Sequence, residues 1–90
     1  MASRYLMGLD AGGGGGRCLL VDVDTGAMAF GARGWSHPVA PETGGWGLDL
    51  DTGAIWESIG QVARQALARS GAAADQVVGL AVTSMRHGTV

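Results

Sequence analysis

The sequence predicts an α/β fold in which three strands, one helix and a fourth strand follow one another. Short apolar runs bounded by glycine or acidic residues recur in the first third of the chain, as is typical of strands. A single segment with apolar residues at helical spacing then precedes one more apolar run. We expect the first three strands to form a meander and the helix to carry the chain to a parallel fourth strand.

The first strand is predicted at residues 4–10 (RYLMGLD) and the second at 17–23 (RCLLVDV). Acidic residues, threonine and glycine crowd a turn at 22–26, after which AMAFGARGW at 27–35 resumes an apolar pattern. This order predicts a hairpin followed by a third strand.

Residues 36–50 contain two prolines and little periodicity, so they are predicted to form a long irregular connection that carries Trp46 and Asp49. Asp51 or Thr52 is placed to cap a helix that ends at Ser70-Gly71. The apolar positions of this helix are Ile55, Ile59, Val62, Ala63, Ala66 and Leu67.

After a second turn at 72–75, VVGLAVTS at 77–84 is a nearly continuous apolar run. Runs of this kind are typical of strands buried on both faces of a sheet. We therefore expect a central strand here.

Composition excludes several classes of function. The chain has 90 residues, 47% of them hydrophobic, and a formal net charge of −2, so it carries no basic surface for nucleic acid or anionic lipid. Its single cysteine, Cys18, lies in an apolar run, and its first residues hold no apolar stretch of signal-peptide length. We expect a cytoplasmic protein with no nucleic-acid or membrane partner.

Five consecutive glycines, residues 12–16, separate the first two predicted strands. Arg17 and Cys18 follow them, so the lysine and hydroxyl residue of a Walker A loop are missing. The dinucleotide-binding fingerprint also fails, because Arg17 stands where its third glycine is required and a strand rather than a helix follows.

A tight glycine turn between two strands remains as the phosphate-binding pattern. Glycines without Cβ let backbone N–H groups face an anion, and Asp10 at the end of the first strand is placed to face Mg²⁺, directly or through water. The alternative is a floppy hairpin loop in which Asp10 is a solvated turn residue. The glycine tract alone leaves both interpretations open.

The segment DAGGGGGR, between YLMGL and CLLVDVDTG, resembles the first phosphate-binding segment of the FGGY carbohydrate kinases, which belong to the actin, hexokinase and Hsp70-like ATPase superfamily. The words GW at 45–46, LDLD at 48–51, IW at 55–56 and ADQVVGLAVTSMR at 74–86 follow in the order of that family's N-terminal domain. The resemblance covers nearly the whole chain. It implies that residues 1–90 are the incomplete N-terminal part of a ribonuclease-H-like first domain.

The resemblance implies an ATP-dependent kinase that phosphorylates a hydroxyl of a sugar or polyol, with Mg²⁺ as cofactor. It implies a substrate-contact segment at Met85, Arg86 and His87, and Asp10 as the residue that faces the metal. A homodimer of the full-length protein is a further expectation. The residues matched to the ATP phosphates are Asp10, Gly12, Gly13, Gly14, Gly15, Gly16 and Arg17.

The sequence also departs from the family. The family's loop usually carries threonine or serine among its glycines, whereas this chain has glycine throughout, which puts its ATP affinity in question. The segment Ser84-Met85-Arg86-His87-Gly88 shares features with xylulose kinases and with autoinducer-type kinases, so it leaves the substrate open. The family's catalytic aspartate and adenine site lie beyond residue 90.

Other chemistry-bearing residues have simpler interpretations. Trp56 is expected to pack in the core, Trp46 is undecided between packing and sugar stacking, and Asp51 is expected to cap the helix rather than pair with Asp49. His37 before a proline is expected at the surface, and Cys18 is expected to be a small apolar core residue.

Three functions follow from these observations. The first is the N-terminal segment of a sugar kinase. The second is a non-catalytic actin-like module that binds nucleotide or sugar, which the hydroxyl-free loop favours, and the third is a structural scaffold without a ligand.

Overall fold

A computed structural model of the chain describes residues 3–84. It contains a four-stranded mixed sheet with one long helix on one face. The elements are β1 (Tyr5–Ala11), β2 (Gly15–Asp22), β3 (Met28–Gly34), α1 (Thr52–Ser70) and β4 (Val77–Ser84), with short 3-10 turns at Pro41–Thr43 and Ala74–Gln76. The predicted α/β class and the order of its elements are confirmed.

The strands lie in the order β3-β2-β1-β4. β1, β2 and β3 pair antiparallel with their neighbours, whereas β4 pairs parallel with β1. The predicted meander and the parallel fourth strand are therefore both confirmed. Because β4 runs parallel to β1, its end at Ser84 lies opposite Ala11. The last residue of β4 therefore lies at the end of the sheet where β1 meets the glycine tract.

The helix has the boundaries that its capping residues predict. The Asp51 side chain accepts a hydrogen bond of 2.9 Å from the Ala54 amide, and Gly71 ends the helix in the left-handed conformation with φ 74°. Asp51 is thereby confirmed as the cap.

The core lies between the helix and β2. Cys18 and Leu20 are fully buried against Val62 and Ala66, and burial raises the pKa of the Cys18 thiol. Cys18 is therefore confirmed as an apolar core residue. β3 also passes directly under the helix, where Gly31 lies against the Val62 carbonyl oxygen.

The prediction that residues 77–84 form a central, doubly buried strand is wrong for the described residues. β4 is the edge strand, and its Val78, Leu80 and Val82 are 60 to 67% exposed. The helix lies over β2 and β3, so no described element covers the helix side of β4. An apolar run indicates that a strand favours burial, but it does not specify which part of a polypeptide covers it.

Trp56 is also placed differently from the prediction. It lies on the helix but is 80% exposed, at the rim of an apolar groove that also includes Leu9, Ile55 and Leu80. The groove follows from the position of the helix, which packs on β2 and β3: among the described residues, β1 is only partly covered on this side and β4 is not covered.

The connection between β3 and the helix is irregular, as predicted. It contains the 3-10 turn Pro41–Thr43 and an isolated bridge between Val39 and Leu48, while Trp46 at its tip is 93% exposed. Along residues 3–84, no helix combines the length and apolarity needed to cross a membrane.

Asp22 closes the turn between β2 and β3 and makes stability depend on pH. Its carboxylate accepts hydrogen bonds from the Asp24 amide at 2.9 Å and the Thr25 amide at 3.2 Å. These bonds, that from Asp24 first, hold the pKa of Asp22 below its usual range even though desolvation opposes them. The stabilising effect is therefore present above the unfolded-state pKa of about 4 and is lost as the pH falls through the folded-state pKa.

We expect Asp22→Asn to flatten the dependence of the urea unfolding midpoint on pH below about pH 5, because the side chain then no longer ionises. Asp49→Asn, which changes an exposed carboxylate in the long connection, serves as the control. Equal acid dependence in wild type and Asp22→Asn would contradict the assignment.

Candidate functional site

The glycine tract forms a tight turn rather than a floppy loop. Ala11 pairs with Gly16, and the Gly12 amide donates a hydrogen bond of 2.8 Å to the Gly15 carbonyl. Only Gly13 and Gly14 are left to reverse the chain between β1 and β2. The predicted strand–glycine–strand turn is thus confirmed, and it is shorter than the five-glycine tract.

The glycines of the tract have different structural roles. A Cβ on Gly15 would lie 2.7 Å from the Arg33 carbonyl oxygen, and one on Gly16 would lie 2.7 Å from the Trp35 ring. A Cβ built on Gly13 or Gly14 meets no described atom within 4 Å beyond the chain neighbours, and neither glycine has a positive φ. Glycine is therefore required by packing at 15 and 16, whereas the turn itself has room for side chains.

The turn has amide groups available for an anion. Within residues 3–84, the N–H groups of Gly13 and Gly14 have no hydrogen-bond partner, whereas both carbonyls are bonded. The Gly13 carbonyl lies 2.8 Å from the Nε2 atom of His37, and the Gly14 carbonyl accepts from the Trp35 amide at 3.2 Å. Unpaired adjacent amides in a turn form a concavity of partial positive charge.

An ion pair lies beside this turn, on the sheet face away from the helix. Asp10 and Arg17 are direct cross-strand partners, and the Nη1 atom of Arg17 lies 2.7 Å from the Oδ2 atom of Asp10. Both side chains are accessible to solvent, and Thr83 of β4 is the partner of Asp10 on its other side. The arrangement offers one carboxylate and one guanidinium to a ligand at the turn.

The structure brings together Asp10, Gly13, Gly14 and Arg17 at one end of the β1–β2 hairpin. Gly15 and Gly16 belong to β2 and pack against neighbouring residues, so they support the turn from within the sheet. The predicted substrate-contact residues Met85, Arg86 and His87 lie outside the described residues.

Sequence reasoning missed the contribution of His37 and Trp35. The sequence predicts only a surface position for His37, yet its ring contacts the Gly13 carbonyl from 24 positions along the chain. The pairing of Gly15 with Gly34 brings the segment after β3 alongside the glycine turn. No local pattern indicates this contact, because it depends on the register of two strands.

In the part of the chain that the structure describes, no group of three or more histidine, cysteine, aspartate or glutamate residues is arranged to hold a metal ion. Any metal at the turn would depend on Asp10 together with ligand oxygens and water. That donor set suits Mg²⁺, which commonly takes one or two carboxylates along with phosphate oxygens and water.

Comparison with known proteins shows which proteins the chain is similar to. Over 89 residues it is 35% identical to the autoinducer-2 kinase of Photorhabdus laumondii, an alignment that covers 99% of this chain and 17% of that kinase. The chain is similar to part of a kinase. The autoinducer-2 kinase of Escherichia coli K12 is 34% identical over 86 residues, covering 96% of this chain and 16% of the kinase.

The autoinducer-2 kinase of Salmonella paratyphi B is 33% identical over 89 residues. The chain spans about a sixth of the length of these autoinducer-2 kinases. No protein-family model matches it. The predicted relationship to kinases is confirmed, whereas the FGGY family and the substrate stay predictions.

Proposed function

We propose that the chain is the N-terminal segment of an ATP-dependent carbohydrate kinase of the FGGY type, which transfers the γ-phosphate of ATP to a hydroxyl of a sugar or polyol. The observation that carries this proposal is the similarity of nearly the whole chain to autoinducer-2 kinases. The α/β sheet with its glycine hairpin is compatible with the actin-like ATPase domain that such an enzyme requires.

In this proposal the glycine turn binds the phosphates of ATP. The N–H groups of Gly13 and Gly14 have no hydrogen-bond partner among residues 3–84, and the guanidinium of Arg17 beside them adds a positive charge with several N–H donors. Phosphoryl transfer depends mainly on positioning and on charge stabilisation, and these groups supply both.

Asp10 faces the Mg²⁺ that accompanies ATP, directly or through water. Its carboxylate is ion-paired with Arg17, so on binding of Mg·ATP the Arg17 guanidinium would release Asp10 and bind phosphate oxygens, and Asp10 would hold the hydrated cation. Each charged group keeps an opposite charge through the exchange, which limits the desolvation penalty. The metal neutralises phosphate charge when bound.

The resemblance assigns substrate contacts to Met85, Arg86 and His87. The guanidinium and imidazole groups offer directional hydrogen bonds to sugar oxygens. The parallel pairing of β4 with β1 supports this proposal, since Ser84 ends β4 at the same end of the sheet as the glycine turn. The catalytic aspartate and the adenine site are assigned to sequence beyond residue 90, in a cytoplasmic and homodimeric parent enzyme.

The direct test is to express the complete reading frame and to measure ADP release with autoinducer-2, ketoses and polyols as acceptors. We expect ATP consumption that depends on one of these acceptors. Folded protein that consumes no ATP with any of them would contradict the proposal.

A second candidate is a non-catalytic module that binds nucleotide or sugar, and the hydroxyl-free turn favours it. Gly13→Thr separates the two functions. A threonine fits at this position, which has open space and no positive φ, and its hydroxyl adds a donor for phosphate. If the protein is a kinase, we expect Gly13→Thr to bind ATP about three- to tenfold more tightly than wild type, because one hydrogen bond is added.

Calorimetric titration with Mg·ATP measures this effect on the protein from the complete reading frame. Gly15→Thr is the contrasting variant. It adds the same side chain, but its Cβ would collide with the Arg33 carbonyl oxygen, so it is expected to destabilise the hairpin. Tighter binding of Mg·ATP without acceptor-dependent turnover would indicate a non-catalytic nucleotide-binding module, and unchanged affinity and activity would indicate a module that does not bind ATP at this turn.

A further inference from the structure

The segment after β3 holds both carbonyls of the glycine turn. The Trp35 amide donates to the Gly14 carbonyl at 3.2 Å, and the Nε2 atom of His37 lies 2.8 Å from the Gly13 carbonyl. Since a carbonyl oxygen only accepts, the imidazole carries its hydrogen on Nε2 in this contact. A backbone group and a side chain of one segment therefore donate to the two adjacent carbonyls of the turn.

The bond from His37 sets the direction of an amide. The Gly13 carbonyl and the Gly14 N–H belong to one planar peptide group, and in a trans peptide they point in opposite directions. No cis peptide occurs in the described part of the chain. Holding the Gly13 carbonyl toward His37 therefore turns the Gly14 N–H away from His37, where it has no partner within residues 3–84.

A glycine turn needs such a restraint. The peptide between the two central residues of a β-turn is the group that flips between the type I and type II conformations, and type II requires a positive φ at the second central residue. Neither Gly13 nor Gly14 has a positive φ, although glycine adopts one readily. Among residues 3–84, no atom beyond the chain neighbours lies within 4 Å of a Cβ built on either glycine, so side-chain packing at these two positions does not fix the turn.

We infer that His37 is a positioning residue of the phosphate-binding turn. It selects the peptide orientation that presents the Gly14 N–H to the phosphates of ATP, and it does so without touching the nucleotide. This inference rests on the proposed function, because it requires that the turn bind phosphate.

The side chain of His37 is separable from the fold. The segment after β3 that carries His37 is anchored at Trp35, whose ring packs on Gly16. The Trp35 backbone amide bonds to the turn, and this bond does not involve the side chain at position 37. Removing the imidazole should therefore free the Gly13–Gly14 peptide and leave the sheet intact.

The experiment compares His37→Gln with His37→Met in the protein from the complete reading frame. The two side chains have similar length and shape, but only glutamine retains an N–H donor for the Gly13 carbonyl. Ser36→Ala, at the exposed neighbouring position, is the control. Calorimetry measures the binding of Mg·ATP, Mg·ADP and adenosine to each variant.

We expect His37→Met to bind Mg·ATP and Mg·ADP about three- to tenfold more weakly, as the loss of one hydrogen-bonded orientation predicts, and to bind adenosine as wild type does. His37→Gln should restore nucleotide affinity to within about twofold of wild type, and Ser36→Ala should leave it unchanged. Glycine-selective ¹⁵N spectra should show the Gly14 amide shifted in His37→Met and close to wild type in His37→Gln.

The outcomes separate this inference from the proposed function. Wild-type protein that binds no Mg·ATP would overturn the proposed function and the inference with it. If wild type binds Mg·ATP and His37→Met binds it equally well, the inference alone is wrong. An equal loss for adenosine and for the nucleotides would also overturn it, because the histidine would then support the fold in general rather than the phosphate turn.

Discussion

Gly31→Ala is expected to destabilise the chain by about 2 to 3 kcal/mol, near the upper end of the usual cost of overpacking. An added Cβ would contact the Val62 carbonyl oxygen and would lie 2.8 Å from the Cβ of Gln65. A helix backbone cannot yield locally as a flexible side chain does, so α1 would have to move away from β2 and β3. That movement would open the contact between Val62 and Cys18 in the core.

Gly8→Ala is the matched control, since Gly8 lies within β1 of the same sheet and has nothing within 4 Å of its Cβ position. Its stability should remain within about 1 kcal/mol of wild type, because the substitution removes backbone freedom from the unfolded chain without creating a clash. Urea unfolding followed by circular dichroism measures both variants. Equal unfolding midpoints for Gly31→Ala and Gly8→Ala would show that the helix does not approach β3 this closely.

Asp10→Asn is expected to lower Mg·ATP-dependent activity of the protein from the complete reading frame by about 10- to 100-fold, the range typical of groups that orient a metal and its waters. The substitution keeps the shape of the side chain and removes its charge. It also releases Arg17 from its 2.7 Å ion pair. Binding of metal-free ATP should therefore be unchanged or stronger, because in the proposed site the freed guanidinium would face the phosphates without a competing carboxylate.

Asp24→Asn controls for the loss of a surface ion pair, since Asp24 pairs with Arg4 at 3.3 Å on the same hairpin but away from the glycine turn. We expect no change in nucleotide binding in this variant. Titrations with ATP in the presence of Mg²⁺ and of EDTA distinguish the roles. Equal weakening in both conditions would show that Asp10 maintains the hairpin and does not face the metal.

The elements of the fold were predictable because their signals are local. Asp51 and Gly71 mark the two ends of the helix through bonds and dihedral angles that involve only neighbouring residues. The meander and the parallel return of β4 follow from short turns and from a helix between strands.

The candidate site was predictable in part. Asp10 and Arg17 stand at the two sides of a glycine tract, so a tight turn makes them cross-strand partners. That only two of the five glycines form the turn depends on contacts with Arg33, Trp35 and Ile59, which lie far along the chain. The role of His37 depends on the register between β2 and β3 in the same way.

The two errors have one cause. The apolar character of Val82 and Trp56 predicts burial, whereas both lie along a groove that no described element covers. Hydrophobicity measures how favourable burial is, but it carries no information on which surface provides it.

The sequence by itself determined the α/β class, the helix with its caps, and a carboxylate and a guanidinium on the two sides of a glycine turn. These features depend on dihedral preferences and on short distances along the chain. Only the tertiary structure decided which glycines are needed for packing, which strand lies at the edge, and which side chain holds the turn. Those properties depend on how distant segments approach one another, and the approach is set by strand register and by the position of the helix on the sheet.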